Sequence, residues 1–456
     1  MRNFLILFAV FAVAASAQNS AAAESKQTRP NIVLIMADDM GYECLSCNGS
    51  SSYKTPHLDQ LATEGIRFTQ CYSQPLCTPS RVKIMTGRYN FRNYQEFGYL
   101  KPTETTFGHV LQKAGYQTCI AGKWQLNGLT YQLPGHDDPT RPVKAGFHEY
   151  SLWQLTQPKS KGERFANALI ETNGQPPQKV QDGYGPQFFA DFVCDFIERN
   201  KEQPFFVYYP MVLTHDPFVP TPDSPEWKTG NRMKKDKRFF ADMVAYTDRI
   251  VHQINSKLES LGLRENTILM FTGDNGTHTS ITSETSDGSQ VRGAKGSTID
   301  HGTHVPFIAS WPATIPQGQV NSDLIGFSDF FATIVEAGGQ PEASAKTDGR
   351  SFLPQLKGQP GNKRDFVFCH YEPRWGKWKG AKRFARDKTY KLYLDGRMYN
   401  VTEDVLEKNS LKPEDVTAQV ARTKLKAVLE SMPVIESRPR IKKGAKQNRN
   451  KTNPKK

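Results

Sequence analysis

A chain of 456 residues, 37% hydrophobic and 23% charged, carries enough apolar material for a substantial core, which excludes a wholly disordered protein. The net charge of +13 does not by itself imply nucleic acid. Nine Lys and Arg, with no acid, fall in Ser437 to Lys456, leaving +4 for the rest, and no helix-turn-helix, finger or RNA-binding signature is present. Seven cysteines, at 44, 47, 71, 77, 119, 194 and 369, are too few and odd in number, which excludes a disulfide scaffold.

The chain opens with Arg2, an apolar run from Phe4 to Ala14 and the small-residue site Ala15-Ser16-Ala17. That pattern predicts a secretory signal over residues 1–17, too short for a lasting membrane span. No later stretch is long and apolar enough to cross a bilayer, so the expectation is an exported protein, periplasmic or secreted, without a transmembrane anchor. The remainder exceeds one typical domain. A large unit over 28–345, a smaller one over 346–436 and a basic, solubilising arm over 437–456 are expected.

Asn31 to Met36 is a short apolar run, as in a strand buried on both faces, and it hands over to Asp38-Asp39. Cys44-Leu45-Ser46-Cys47 has metal-clip spacing but no second pair, so a local disulfide or two buried thiols is expected in preference to zinc. In Pro75 to Arg88, PLCTPSRVKIMTGR, Pro79 suits the first turn of a helix. A helix N-terminus attracts anions and is expected to depress the pKa of Cys77 beside it.

Thr118 to Ala121 is a second strand-like run, ending in Gly122-Lys123-Trp124. Pro204 to Leu213 is a third, ending in Thr214-His215-Asp216, and Thr267 to Phe271 a fourth, leading into Gly273-Asp274-Asn275-Gly276. Helical segments lie between them, Phe188 to Glu198 and Asp236 to Leu261. The latter aligns Phe240, Val244, Val251, Ile254 and Leu258 on one face. This alternation predicts an α/β fold, a large mixed, mostly parallel sheet sandwiched by helices. After Gly349-Arg350-Ser351, strand-like runs at Phe366 to Cys369 and Tyr390 to Leu394 and a helix at Leu425 to Ser431 predict a smaller α+β subdomain with an antiparallel sheet.

Each central run ends in a polar cluster, and in open α/β sheets ligands bind at that carboxyl edge. Asp38, Asp39, Lys123, His215, Asp274 and Asn275 can therefore reach one crevice. Three carboxylates and an amide oxygen suit a hard divalent cation, calcium or magnesium; singly, each is equally an ordinary turn residue. Lys123 and Lys295, in Gly-rich settings, suit an anion such as phosphate or sulfate. His215 can protonate a leaving oxygen. Tyr371 to Lys379, with Trp375 and Trp378 among basic residues, could stack on sugar rings or pack as a sheet edge.

Cys77-Thr78-Pro79-Ser80-Arg81 resembles the C-x-P-S-R signature of the formylglycine-dependent sulfatases, type I and arylsulfatase-like, within the alkaline-phosphatase-like superfamily. The similarity runs from about residue 30 to 435 through the clusters above and Gly293-Ala294-Lys295-Gly296 before Val305-Pro306. It implies a sulfuric ester hydrolase in which a maturation enzyme converts Cys77 to formylglycine. It further implies one Ca2+ (or Mg2+) held by Asp38, Asp39, Asp274, Asn275 and converted Cys77, with Arg81 stabilising residue 77. Lys123 and Lys295 would neutralise sulfate oxygens and His215 would protonate the departing alcohol. A sulfated poly- or oligosaccharide is the expected substrate. A phosphonate monoester or phosphodiester hydrolase and a silent calcium-dependent glycan-binding homologue are the alternatives.

The chain departs from the family pattern twice. Gln125 stands where many sulfatases have a histidine, and it cannot take up a proton at neutral pH. Asp300-His301-Gly302-Thr303-His304 replaces a common Glu-Gly-Gly-x-Arg, which makes His301 and His304 candidate substrate contacts.

Overall fold

The computed structural model describes residues 29–160, 162–373 and 381–433. The signal at 1–17, the Trp375 and Trp378 pair and the basic arm lie outside the described residues. Asn31–Ala37 (β1) is buried throughout. Val33, Ile35 and Ala37 enter one core while Ile32, Leu34 and Met36 enter another. That two-residue alternation is what a strand covered on both faces requires.

Ten strands share one sheet. After β1 come Ile66–Phe68 (β2), Gln117–Lys123 (β3), Glu149–Trp153 (β4), Leu169–Thr172 (β5) and Gln178–Lys179 (β6). Phe205–Pro210 (β7), Thr267–Gly273 (β8), Phe307–Ser310 (β9) and Gln319–Asn321 (β10) complete it. Their spatial order is β10-β2-β9-β8-β1-β7-β3-β4-β5-β6. The central run β8-β1-β7-β3-β4 is parallel. β9 runs antiparallel to both β8 and β2, and β5 antiparallel to β4, so the sheet is mixed but mostly parallel.

Helices cover both faces. Pro56–Thr63 (α1) lies on one side with two later helices, Gly185–Arg199 and Phe239–Ser260; they contribute Leu58, Val193 and Ile250 to one core. Cys77–Thr86 (α2), Phe107–Lys113 (α3) and Phe327–Ala337 lie on the other, through Val82, Leu111 and Phe330. In chain order the later helices are α4 (Gly185–Arg199), α5 (Phe239–Ser260) and α6 (Phe327–Ala337). The stripe expected on α5, Phe240, Val244, Val251, Ile254 and Leu258, is the face that enters the core.

Val367–Tyr371 (β11), Lys382–Arg386 (β12), Tyr390–Tyr393 (β13) and Met398–Asn400 (β14) form a separate antiparallel sheet. It packs on Gln419–Ser431 (α7) through Ala385, Leu392, Met398, Leu425 and Leu429. Buried polar ties fix it to the larger part, among them two through charged side chains on either side of the junction. Lys83 on α2 donates to the Phe368 carbonyl at 3.1 Å, and Arg386 grips both oxygens of Asp300 at 2.6 and 2.7 Å. No helix among the described residues is long and apolar enough to cross a membrane.

Candidate active site

The site forms where β1, β3, β7, β8 and α2 end or begin. β1 lies between β7 and β8, so its last residues meet theirs through the backbone. The Asp38 amide donates to the Leu213 carbonyl at 2.6 Å, the Thr214 amide to the Asp38 carbonyl at 2.7 Å and the Asp274 amide to the Ala37 carbonyl at 2.9 Å. The Asp39 amide donates to Asp274 Oδ1 at 3.1 Å, and Asn275 Nδ2 to Asp39 Oδ1 at 2.8 Å. Segments some 235 residues apart in sequence are thereby held in one place.

Around this core the cations are already paired. Lys123 Nζ donates to Asp38 Oδ2 at 2.6 Å. Arg81 Nη2 meets Asp274 Oδ2 at 3.1 Å, and its Nη1 donates to the Lys123 carbonyl at 2.9 Å. Lys295 Nζ donates to Asp39 Oδ2 and lies 3.0 Å from His215 Nε2. His215 Nδ1 lies 2.9 Å from Asp216 Oδ1 and 2.7 Å from the Asp216 carbonyl, which makes Nδ1 the protonated nitrogen and Nε2 the free one. Asp38, Asp39, Asp274 and Asn275 are fully buried, whereas His215 and Lys295 are only partly covered and mark the mouth.

Cys77 opens α2, so Pro79 falls in the first turn as expected. A ligand atom from each of Asp38, Cys77 and Asp274 lies within 4.8 Å of the other two. Gln125, at positive φ after β3, places Oε1 3.6 Å from Cys77 Sγ. The expected depression of the Cys77 pKa is not found. Burial pushes the thiol up, and the nearby Asp38 and Asp274 add to this against the opposing pull of Lys123 and Lys295. Burial and two carboxylates outweigh the helix end.

The same forces divide the two central acids. Burial opposes ionisation of Asp38, yet Lys123, His215, Arg81 and Lys295 together hold it well below the usual carboxylate range. Asp274 is pushed up to about 7, by burial first and then by the charge on Asp38. His215 is lowered by burial, which Asp39 and Asp38 only partly offset. Two oxygens remain buried with no hydrogen-bond partner, Asp38 Oδ1 and Asn275 Oδ1. An oxygen-rich set with unanswered lone pairs suits a hard cation.

His304 is placed differently. Its ring stacks between Tyr42 and Tyr72, and Nε2 lies 3.0 Å from the Thr69 carbonyl, so its contacts go to these groups and not to the carboxylates. His301 Nδ1 lies 3.2 Å from the Arg292 carbonyl. His301 and His304 both line a cleft of about 300 Å³ with Tyr42, Glu43 and Asp287. Cys44 and Cys47 are both free, which leaves the buried-thiol expectation met for Cys44 alone. Cys44 Sγ turns to Thr277 Oγ1 at 3.3 Å, and Cys47 Sγ to Asn48 Oδ1 at 4.0 Å. Two residues at the site carried no sequence signal of their own. Asp216 could have been read only as the neighbour of His215, and Arg164 belongs to no motif.

Comparison with known proteins agrees with this arrangement. The chain matches the family model described as Sulfatase over residues 30–340, and the N-sulphoglucosamine sulphohydrolase C-terminal model over 295–434. Human arylsulfatase A is 32% identical over 376 residues, spanning 75% of this chain and 70% of its own. Mouse N-acetylgalactosamine-6-sulfatase is 31% identical over 382 residues, spanning 74% and 68%. Among solved structures, Ps i-CgsB superposes with a TM-score of 0.73 at 25% identity, covering 88% of this chain and 92% of that one. The phosphonate monoester hydrolase of Agrobacterium radiobacter shares the fold, with a TM-score of 0.64 at 20% identity over 88% and 95%. A signature helix opening onto a cluster of carboxylates and cations, within a match over most of the sequence, has one reading: the chain belongs to the type I sulfatases of the alkaline-phosphatase-like superfamily and is a sulfuric ester hydrolase.

Proposed function

We propose that this hydrolase removes sulfate from a sulfated carbohydrate, using residue 77 after its cysteine has been converted to formylglycine by a maturation enzyme. We also propose one divalent cation, Ca2+ in preference to Mg2+, held by Asp38, Asp39, Asp274 and Asn275 beside residue 77. The observation that supports this most is the meeting of Cys77 with Asp38 and Asp274 at one buried point. The donors fit such an ion: its charge would answer the two partnerless oxygens and the carboxyl of Asp274 that burial and Asp38 push up. A cation bound there supplies fixed positive charge, and the hydrate of formylglycine supplies an oxygen nucleophile.

The chain's own residues do the rest. Lys123 and Lys295 are oriented by Asp38 and Asp39 before substrate arrives, so they meet sulfate oxygens without reorganisation. Arg81 locks Asp274 to the Lys123 carbonyl. His215, whose Nε2 is unprotonated in the free site, gains basicity when an anionic sulfate enters, takes up a proton from solvent at Nε2 and can then give that proton to the departing alcohol. Asp216 holds the other nitrogen. Gln125 orients a hydroxyl at residue 77 but cannot accept its proton.

A carbohydrate substrate is supported by the relatives. N-acetylgalactosamine-6-sulfatase is named for a sugar sulfate. Two structural neighbours were solved with D-glucosamine-2-N,6-O-disulfate and with k-i-k-neocarrahexaose. The signal-like first 17 residues support export, which N-terminal sequencing of the mature protein, starting at Gln18, checks.

Mass spectrometry of the peptide around Cys77 tests the nucleophile: a mass loss matching thiol-to-aldehyde conversion is expected, and an intact thiol in fully active enzyme refutes it. Sulfate release from sulfated mono- and oligosaccharides, beside nitrophenyl sulfate and phenyl phosphonate, tests the substrate. Turnover of the aryl or phosphonate ester alone overturns the carbohydrate reading, and no turnover at all favours a silent binding protein. Replacing His215 by Ala is expected to lower kcat by roughly 10²–10⁴ on sugar sulfates. Chelation is expected to abolish turnover and lower Tm, with Ca2+ restoring both; unchanged Tm and rate would remove the metal from the scheme.

A further inference from the structure

Arg164, in the loop between β4 and β5, is a buried cation near the site that the chemistry above does not use. It is 8% exposed, and its guanidinium lies 4.1 Å above the ring of Trp153. Nη1 is buried with no hydrogen-bond partner, and among the described residues no carboxylate lies within ion-pair distance. The other cations of the site, Arg81, Lys123 and Lys295, each have one. A buried guanidinium nitrogen without an acceptor is costly, and an anion from outside the chain would answer it.

The position is fixed from several directions. Trp153 ends β4 opposite Lys123 in the parallel register, and the Trp124 amide donates to its carbonyl at 3.1 Å. Register partners point to the same face, so the ring carrying Arg164 stands one strand away from Lys123, about 5 Å. Trp153 Nε1 donates to the Gly162 carbonyl at 3.2 Å, and the Gly185 amide to the Phe165 carbonyl at 2.8 Å, holding the loop on both sides of Arg164. A side chain on Gly185 would collide with the Arg164 carbonyl. Gln154, the residue after Trp153, also keeps Oε1 buried and partnerless. Burial lowers the Arg164 pKa, the carboxylates of Asp38, Asp216 and Asp39 oppose that shift, and Arg164 in turn helps lower that of His215. Asp216 and His215 belong to the side from which the alcohol leaves.

We infer that Arg164, seated on Trp153, binds a second anionic group of the substrate, a sulfate or carboxylate on the sugar that carries the scissile ester. This rests on the carbohydrate sulfatase reading and narrows it to sugars with two anions. A planar guanidinium donates two parallel hydrogen bonds to either group. The scissile sulfate has Lys123 and Lys295 for its own oxygens. Gln154 offers an amide to a neighbouring sugar hydroxyl.

The test is calorimetric titration of full-length Cys77→Ala protein, loaded with Ca2+, so that no turnover interferes. The probes are N-acetylglucosamine 6-sulfate with one anion, glucosamine 2-N,6-O-disulfate with two, and glucuronic acid 2-sulfate with a sulfate and a carboxylate. One or both of the two-anion ligands are expected to bind at least about tenfold tighter than the first, a difference of about 1.4 kcal/mol. Adding Arg164→Gln is expected to erase that ratio, while Arg164→Lys keeps part of it. Loss confined to the disulfate assigns a second sulfate, and loss confined to the uronate assigns a carboxylate. A ratio near one in Cys77→Ala, or a ratio unchanged by Arg164→Gln, overturns the inference. Thermal unfolding gives a second check: removing a charge that waits for ligand leaves Tm level or higher, and a fall of several degrees would make Arg164 structural and overturn it. Sulfate release by the unmutated enzyme is scored separately and judges only the hydrolase reading.

Discussion

His304 shows at the scale of one residue how packing between rings sets the protonation of an imidazole. Burial between Tyr42 and Tyr72 lowers its pKa to about 4, with Asp300 pulling the other way. The unfolded ring protonates first as pH falls, so stability is lost between the ordinary histidine pKa near 6.5 and about 4. His304→Phe keeps the stacking and removes the proton site. Its urea stability relative to wild type is expected to improve by about 2–3 kcal/mol on going from pH 7 to pH 4.5; parallel pH profiles would contradict this. Gln125 carries the second residue-scale prediction. Gln125→His is expected to raise the steady-state rate without changing a single-turnover burst, since only the histidine can relay a proton after the first transfer. No change in either would show that position 125 does not limit turnover.

Between elements, the tie from β12 to the short helical turn at Asp300–Thr303 is open to the same kind of check. Arg386→Met leaves Asp300 buried and unanswered, which is expected to cost about 3–5 kcal/mol in guanidinium unfolding. The double change with Asp300→Asn should recover part of it, and strictly additive losses would mean that the pair is not coupled. The elements themselves were legible to different degrees. β1, β3, β7 and β8 are continuous apolar runs with polar clusters at their ends, and the structure places them as neighbours with those ends together. α4 starts at Gly185, ahead of the Phe188 expected, because Pro186 is suited to an opening turn. α7 starts at Gln419 and not at Leu425, since its first turns bury little and Val420 is 84% exposed, so no apolar stripe announces them. β2, β9 and β10 are three or four residues long, too short for periodicity to reveal. The antiparallel side of the sheet therefore emerges only in three dimensions. The carboxylates and Lys123 were readable because they end or follow a buried strand, and Lys295 because it stands in a Gly-rich setting. Arg164 was not, because a loop held by a tryptophan ring leaves no pattern in sequence.

For the molecule as a whole, the charge is uneven. Ser437 to Lys456 carries nine of the basic residues behind the net +13, and a like-charged block of this kind acts by long-range attraction that salt screens. Deleting residues 437–456 is expected to leave Tm within about 1 °C and to lower the salt needed to elute the protein from a sulfated resin; unchanged elution would remove the block from any role in adhesion. The covering of residue 77 has a different reach. The finished fold leaves Cys77 2% exposed at the head of a fully buried helix, and strands about 236 residues apart in sequence pair beside it to complete that enclosure. The proposed conversion of the thiol thus has a deadline: a catalyst acting on Cys77 is expected to need the nascent or unfolded chain, and mass spectrometry of the Cys77 peptide is expected to find the sulfur retained when catalyst is added only after folding.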